Sequence, residues 1–243
     1  MNFSTVTAAD GANYAEALAM SLYFFDANEC GTEVDDNCLT WRGNCHTYDA
    51  EASLDSAANL SSSEKAMIKE ANGGSNTVDV SGGYHDAGDH IKFNVTMGFA
   101  ASSLAMSYYM NPGAYEKANC EGHFREVLKK TCDYLMKTTY LDNSGNVYAV
   151  CATVANSADH DVTWEPPEKQ TYDRPTYWLT ASYNNSVTTA TMASALAGTA
   201  YVFKDVDAEY SAKCMKYSKA LYDFAKKLSL IHISEPTRLA LIS

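Results

Sequence analysis

Apolar residues recur at helical spacing along most of this chain, and that periodicity narrows its fold more than any other feature. Residues 13–27 place Ala17, Leu18, Leu22 and Phe25 at helical spacing, with Asp10 or Asn13 as N-cap. Further helices are predicted over 97–109, 121–137, 187–203 and 207–228, with a short one over 63–71 behind Ser62. Asn111-Pro112-Gly113 is a strong helix stop, and Asp142 to Asn146 reads as a turn. Strand signals are few and short, 148–155 being one. The class is all-α, built from helical hairpins separated by long loops over 30–83 and 159–182. Long structured loops in a helical protein usually carry its function.

The chain has 243 residues, enough for one domain with a sizeable core. Lys+Arg number 18 against 30 Asp+Glu, a net charge of −12. Such a surface repels phosphate backbones and anionic lipid, so neither nucleic acid nor a membrane is an expected partner. No run reaches the roughly 18 apolar residues of a membrane span. The first basic residue is Arg42, so no positively charged leader is visible; export would need a signal upstream. The 17 Tyr and three Trp suit either a Tyr-rich core or flat platforms for sugar rings.

Seven cysteines leave at least one without an internal partner. Cys30, Cys38, Cys45 and His46 form a local cluster of zinc-ligand types that lacks the tight C-x2-C hook. A local disulfide among the three thiols suits an exported protein. Cys120 and Cys132 share one helical pattern; twelve residues of helix span about 18 Å, too far for a bridge, so they read as buried thiols. The stretch 228–243 departs from the helix before it, and Pro236 interrupts it. It resembles translated sequencing-adapter sequence. The expected division is therefore a domain over 1–228 and a non-native tail over 229–243, which would leave the chain truncated.

The most informative string is GGYHDAGDHIKF, residues 82–93. Asp86 and Asp89 stand three apart, flanked by His85 and His90, with Gly88 disfavouring a regular helix. Two close carboxylates can share one water, one accepting its proton while the other aligns it. The same residues also fit a turn capping the helix that follows Asn94, or a metal site built from His85, Asp86, Asp89 and His90.

Residues 82–93 resemble the GG-x-x-DAGD-H-x-K-F signature of glycoside hydrolase family 9, the endoglucanases. Other segments agree in the same order: 13–28 with the family's first helix, Trp41-Arg42-Gly43 with its W-R-G/D loop, and Ala158-Asp159-His160…Trp164…Pro167-Glu168 with its ADH-x-x-W-x-x-PE segment. Asp173-Arg174-Pro175 resembles the T-P-R that follows, and 202–211 the V-F-R-x-V-D-x-x-YS stretch. The resemblance implies part of an (α/α)6 barrel and inverting hydrolysis of β-1,4-glucan, in cellulose or a soluble relative. It makes Asp89 the general base and Asp86 its partner. It places His160, Trp164, Tyr84, His85, Trp41 and Arg174 at the sugar cleft, with Arg42 or Arg174 equally suited to pairing with a loop carboxylate. No metal or cofactor is expected in this stretch; the family's calcium segment and its acid, a Glu, lie downstream of it. The family also implies secretion, and carbohydrate-binding or dockerin modules in a full-length protein. Two other outcomes stay open: an inert glucan-binding fragment, and another (α/α)6 enzyme such as an epimerase.

Overall fold

The structure is a computed structural model that describes residues 11–161 and 165–233, with side chains described over 11–159 and 165–227. Helices dominate it. The first, α1 (Tyr14–Asn28), starts where Asn13 Oδ1 accepts the N–H of Glu16 at 3.2 Å. The short α2 (Ser62–Ala71) is capped by Ser61, one residue earlier than expected, because Glu64 closes a reciprocal capping box with it. After α3 (Asn94–Met110) the Asn-Pro-Gly stop does end the helix, and Pro112 then opens another, α4 (Pro112–Lys117). Proline lacks only an N–H that the first turn leaves unpaired in any case.

The clearest amphipathic helix is α5 (Glu121–Lys137). It buries Phe124, Val127, Leu128, Thr131, Cys132 and Leu135, the i, i+3, i+4, i+7 series of one face. By contrast α6 (Ser186–Phe203) is buried nearly all round and packs between α3 and α7 (Ala208–Ile233). Small residues allow this. A Cβ on Gly198 would lie 2.6 Å from that of Ala105, and one on Gly98 would lie 2.9 Å from the backbone of Thr191. The helix α7 continues to Ile233, past the register break expected at Leu228. Ser229 to Ile233 contain neither Gly nor Pro, and Pro236 is the first helix breaker in the tail.

Two small antiparallel sheets join the helices. One pairs β1 (Ala52–Ser53) with β2 (Thr77–Val78). The other centres on β5 (Val147–Val154), the strand that the sequence announced. One edge of β5 carries β6 (Thr176–Thr180); the other carries β4 (Thr139–Leu141) and then β3 (Lys92–Phe93). The strand β6 lies inside the stretch read as irregular loop. Among the described residues no helix is long and apolar enough to cross a membrane. The seven thiols are free, so the expected local disulfide is not formed, and Cys120 and Cys132 are buried as expected.

Candidate active site

Residues 82–93 follow β2, run alongside the C-terminal end of α1 and end in β3. Gly82 and Gly83 open the segment with φ of 85° and 76°. A side chain at Gly83 would strike the ring of Tyr134 at 2.8 Å, so this position needs glycine for space as well as for backbone. The segment is stitched to the end of α1 by Cys30 N–H to Gly83 O (2.9 Å) and His85 N–H to Asn28 O (2.8 Å). It then closes on itself. Asp86 N–H donates to Ile91 O at 2.9 Å, and Ile91 N–H donates to Asp89 Oδ1 at 3.3 Å. From outside, Asp159 Oδ2 accepts the N–H of His90 at 2.7 Å, fixing the residue next to Asp89 to the Ala158–His160 string.

Asp86 and Asp89 are both partly exposed. Asp86 itself lines a smaller hollow with Phe24, Phe25 and Thr96, while the neighbours Ala87, Gly88 and His90 border a groove of about 520 Å³. Its far wall is Trp41, 69 % exposed, with Glu165, Pro166 and Pro167. Arg42 holds that wall in place. Its Nε meets Glu168 at 2.8 Å, and its other nitrogens reach Glu29 O at 3.0 Å and Ala27 O. Gly43 N–H adds a 3.1 Å bond to the same carboxylate. Burial works against ionising Glu168, but these donors outweigh it and hold its carboxyl below the usual range. Arg42 thus takes the loop-pairing role that the sequence offered to it or to Arg174.

Two other expected cleft residues lie elsewhere. Tyr84 is 5 % exposed and packs edge-on against Phe25, so its ring has no free face for a sugar. Arg174 is turned inward, its side chain 1 % exposed, with Nε 3.0 Å from Asp49; the pull of that carboxylate removes it from the groove. Asp49 also takes Lys92 at 2.8 Å, and Lys92 Nζ binds Gly82 O at 3.1 Å and Val80 O. Burial alone would raise the Asp49 carboxyl; the two cations prevail and hold it below its ordinary value. This buried trio ties the first glycines of the segment to its last strand. The sequence offered Lys92 within the motif and no signal for Asp49. The side chain of His160 and all of Trp164 lie outside the described residues.

His85 is buried as well, its ring edge bordering the groove. The expected set His85, Asp86, Asp89 and His90 is not what gathers. Instead Cys30, Cys45, His46 and His85 bring one ligand atom each to within 4.8 Å of one another. His46 Nδ1 is 3.8 Å from Cys30 Sγ and 3.1 Å from His85 Nε2, and its Nε2 faces Gln170 Oε1 at 2.9 Å. Cys38, the third thiol of the sequence cluster, points away to Asp26. The hydrogen bond from Cys30, against burial, lowers the Cys45 thiol to about 7, and burial lowers His85 to about 4. Near-neutral pH thus favours the thiolate and the neutral imidazole that a metal requires. Two sulfurs and two imidazole nitrogens, with Gln170 orienting one ring, fit a structural zinc site. Such an ion would join the Cys30–His46 loop to the residue before Asp86.

Packed helices carrying the GGYHDAGDHIKF segment beside a groove walled by Trp41 match the helical-barrel class of glycoside hydrolases. The profile of glycosyl hydrolase family 9 matches residues 14–238, and the chain belongs to that family. Among curated relatives it is 33% identical to endoglucanase B of Cellulomonas fimi, over 88% of this chain and 18% of that protein. It is 32% identical to an endoglucanase of Dictyostelium discoideum, over 87% of this chain and 27% of that protein. Among solved structures, the catalytic domain of Clostridium thermocellum CelT matches with a TM-score of 0.82 at 39% identity, covering 89% of this chain and 45% of CelT. The chain thus spans less than half the length of each of these, and its helical hairpins form part of an (α/α)6 barrel.

Proposed function

We propose that the chain carries the water-activating part of an inverting endo-β-1,4-glucanase acting on cellulose or a soluble β-1,4-glucan. Asp89 takes a proton from a water that Asp86 helps to align, and the water oxygen attacks the anomeric carbon. A carboxylic acid on the opposite face protonates the leaving glycosidic oxygen, as inversion requires of two carboxyls about 6.5–9.5 Å apart. Trp41, His160 and Trp164 hold the sugar. One observation supports this reading: Ala87, Gly88 and His90, the residues between and beside the two signature aspartates, border a groove walled by an exposed tryptophan. A cellulase of this family, Cel9M of C. cellulolyticum, has been solved with cellobiose, and it shares 30% identity with this chain at a TM-score of 0.73.

The acid belongs to the part of the family domain outside the matched stretch, where the resemblance puts a Glu and a calcium segment. General acid assistance contributes about 10²–10⁴-fold, so this polypeptide alone is weakly active or inactive. Reducing-sugar release from carboxymethylcellulose tests this; turnover comparable to a full-length relative overturns it. The second reading, an inert glucan-binding fragment, is supported if affinity gel electrophoresis shows binding that survives Asp89→Ala without turnover. Polymeric glucan does not enter cells, so the protein acts outside them.

A further inference from the structure

Strand alternation turns Lys92 into the buried ion cluster and leaves Ile91 and Phe93 facing the other way, into a separate hollow of about 450 Å³. Tyr177 of β6 and Tyr183, 56 % exposed in the turn before α6, supply aromatic faces, and Asn59, Asn156 and Asn185 supply amides. None of the fifteen lining residues is charged, in a chain that is 20% charged. A phosphate or carboxylate ligand would call for Arg or Lys here. A purely apolar ligand would strip water from the amides without replacing it. Aromatic faces among uncharged hydrogen-bonding groups suit a neutral molecule with apolar faces and hydroxyl edges, which is the description of a sugar.

The backbone around the hollow points the same way. Ala155 (φ 74°) and Asn59 (φ 67°) both border it, and they are two of the four non-glycine residues with positive φ among those described. For alanine this conformation costs of order 1 kcal/mol and is maintained only where the surroundings enforce it; here Ala155 N–H is held by Pro175 O at 2.9 Å. The turn at Ala155 sends the chain from β5 into Asn156 and Ser157, and so directly into the Ala158–His160 string beside Asp89. Asn156 Nδ2 reaches the hydroxyl of Tyr177 at 3.4 Å, fixing that ring from the same segment.

We propose that this hollow is a second glucan-binding site, in which Tyr183 and Tyr177 stack on sugar rings and Asn59 and Asn156 serve their hydroxyls. The proposal rests on the β-glucan reading above, and the test separates the two. Binding of cellohexaose is measured by isothermal titration for the whole chain and for Tyr183→Ala, Tyr183→Trp, Asn59→Gly and Trp41→Ala, with circular dichroism to check folding. Tyr183→Ala is expected to weaken binding about three- to tenfold while Tyr183→Trp retains it. Asn59→Gly preserves the left-handed backbone and is expected to weaken binding about fivefold through the lost amide, which keeps the test open if Tyr183→Ala misfolds. If Trp41→Ala weakens binding and neither hollow variant does, the second site is refuted and the groove reading stands. If the hollow variants weaken it and Trp41→Ala does not, the second site stands and the groove assignment falls. Absence of any cellohexaose binding by the whole chain overturns both.

Discussion

Asp49 shows how much one side chain can hold in this molecule. It is 2 % exposed and is the shared carboxylate of Lys92 and Arg174, both themselves buried. Replacing it with Asn leaves two cations in a dry interior without a counter-charge, a change of about 3–5 kcal/mol in other proteins. Asp49→Asn should therefore lower the unfolding free energy from urea titration by an amount of that order; a variant as stable as the parent would show that water reaches the trio. The pH dependence has a defined sign. The carboxyl is depressed in the folded state, so its contribution is present above the unfolded value, near pH 4, and is lost as pH falls through the folded value. The Asn variant should lack that acid limb. The cluster of Cys30, Cys45, His46 and His85 gives a second prediction at this scale. The protein should take up Zn²⁺ with release of protons, and Co²⁺ in the same place should show thiolate charge-transfer absorption. Zinc at a hundred times its Kd should add about 2.7 kcal/mol to stability. Uptake should weaken as pH drops below about 7, where the Cys45 thiolate is protonated, while His85 stays neutral down to about 4. Cys45→Ser should abolish the cobalt band; an unchanged band would place the metal elsewhere. Asp86 and Asp89 stand out in the sequence because they sit three apart inside one motif. Of the metal-ligand cluster, Cys30, Cys45 and His46 were legible as a local group; His85 was not, because it lies 39 residues from His46, and only the fold shows that Cys38 is the thiol left out.

At the scale of elements, the contact between α3 and α6 sets local propensity against packing. Gly198 is a helix-interior glycine, and replacing it with alanine should on propensity alone stabilise the helix by about 1 kcal/mol. The added methyl would lie 2.6 Å from Ala105 Cβ, so the two helices must separate. Overpacking of this kind costs about 1–3 kcal/mol. Gly198→Ala is thus predicted to lower the thermal midpoint; a rise would mean that the helices approach less closely than the structure has them. Elements with a strong internal period were readable from sequence, as α5 shows with its single apolar face. The strand β6 was not. Its five residues carry the burial of a nearly fully enclosed strand, with Trp178 wholly buried, so no alternation marks it. What makes it a strand is β5, more than twenty residues earlier in the chain.

Among the described residues, two helices carry apolar faces that no other helix covers. Phe99, Met106 and Met110 form a stripe along α3, exposed by 67, 58 and 77 %, and Met20 and Phe24 form another on α1 at 55 and 61 %. Tyr109 and Tyr201 add to these faces, their rings 5.1 Å apart. Exposed apolar stripes of this kind mark an interface. The chain covers 45% of CelT, and in an (α/α)6 barrel each hairpin packs against neighbours on both sides. Alone in water these stripes favour self-association. The net charge of −12 opposes that, and salt weakens the repulsion within a Debye length of about 10 Å at 0.1 M. Sedimentation should accordingly show a monomer at low salt and concentration-dependent association as salt is raised. Phe99→Glu, which adds a charge to the N-terminal end of the α3 stripe without touching the α3–α6 contact, should suppress the association at every salt concentration. A protein that stays monomeric in high salt, or associates as strongly with Glu at 99, would show that these faces are not the adhesive ones.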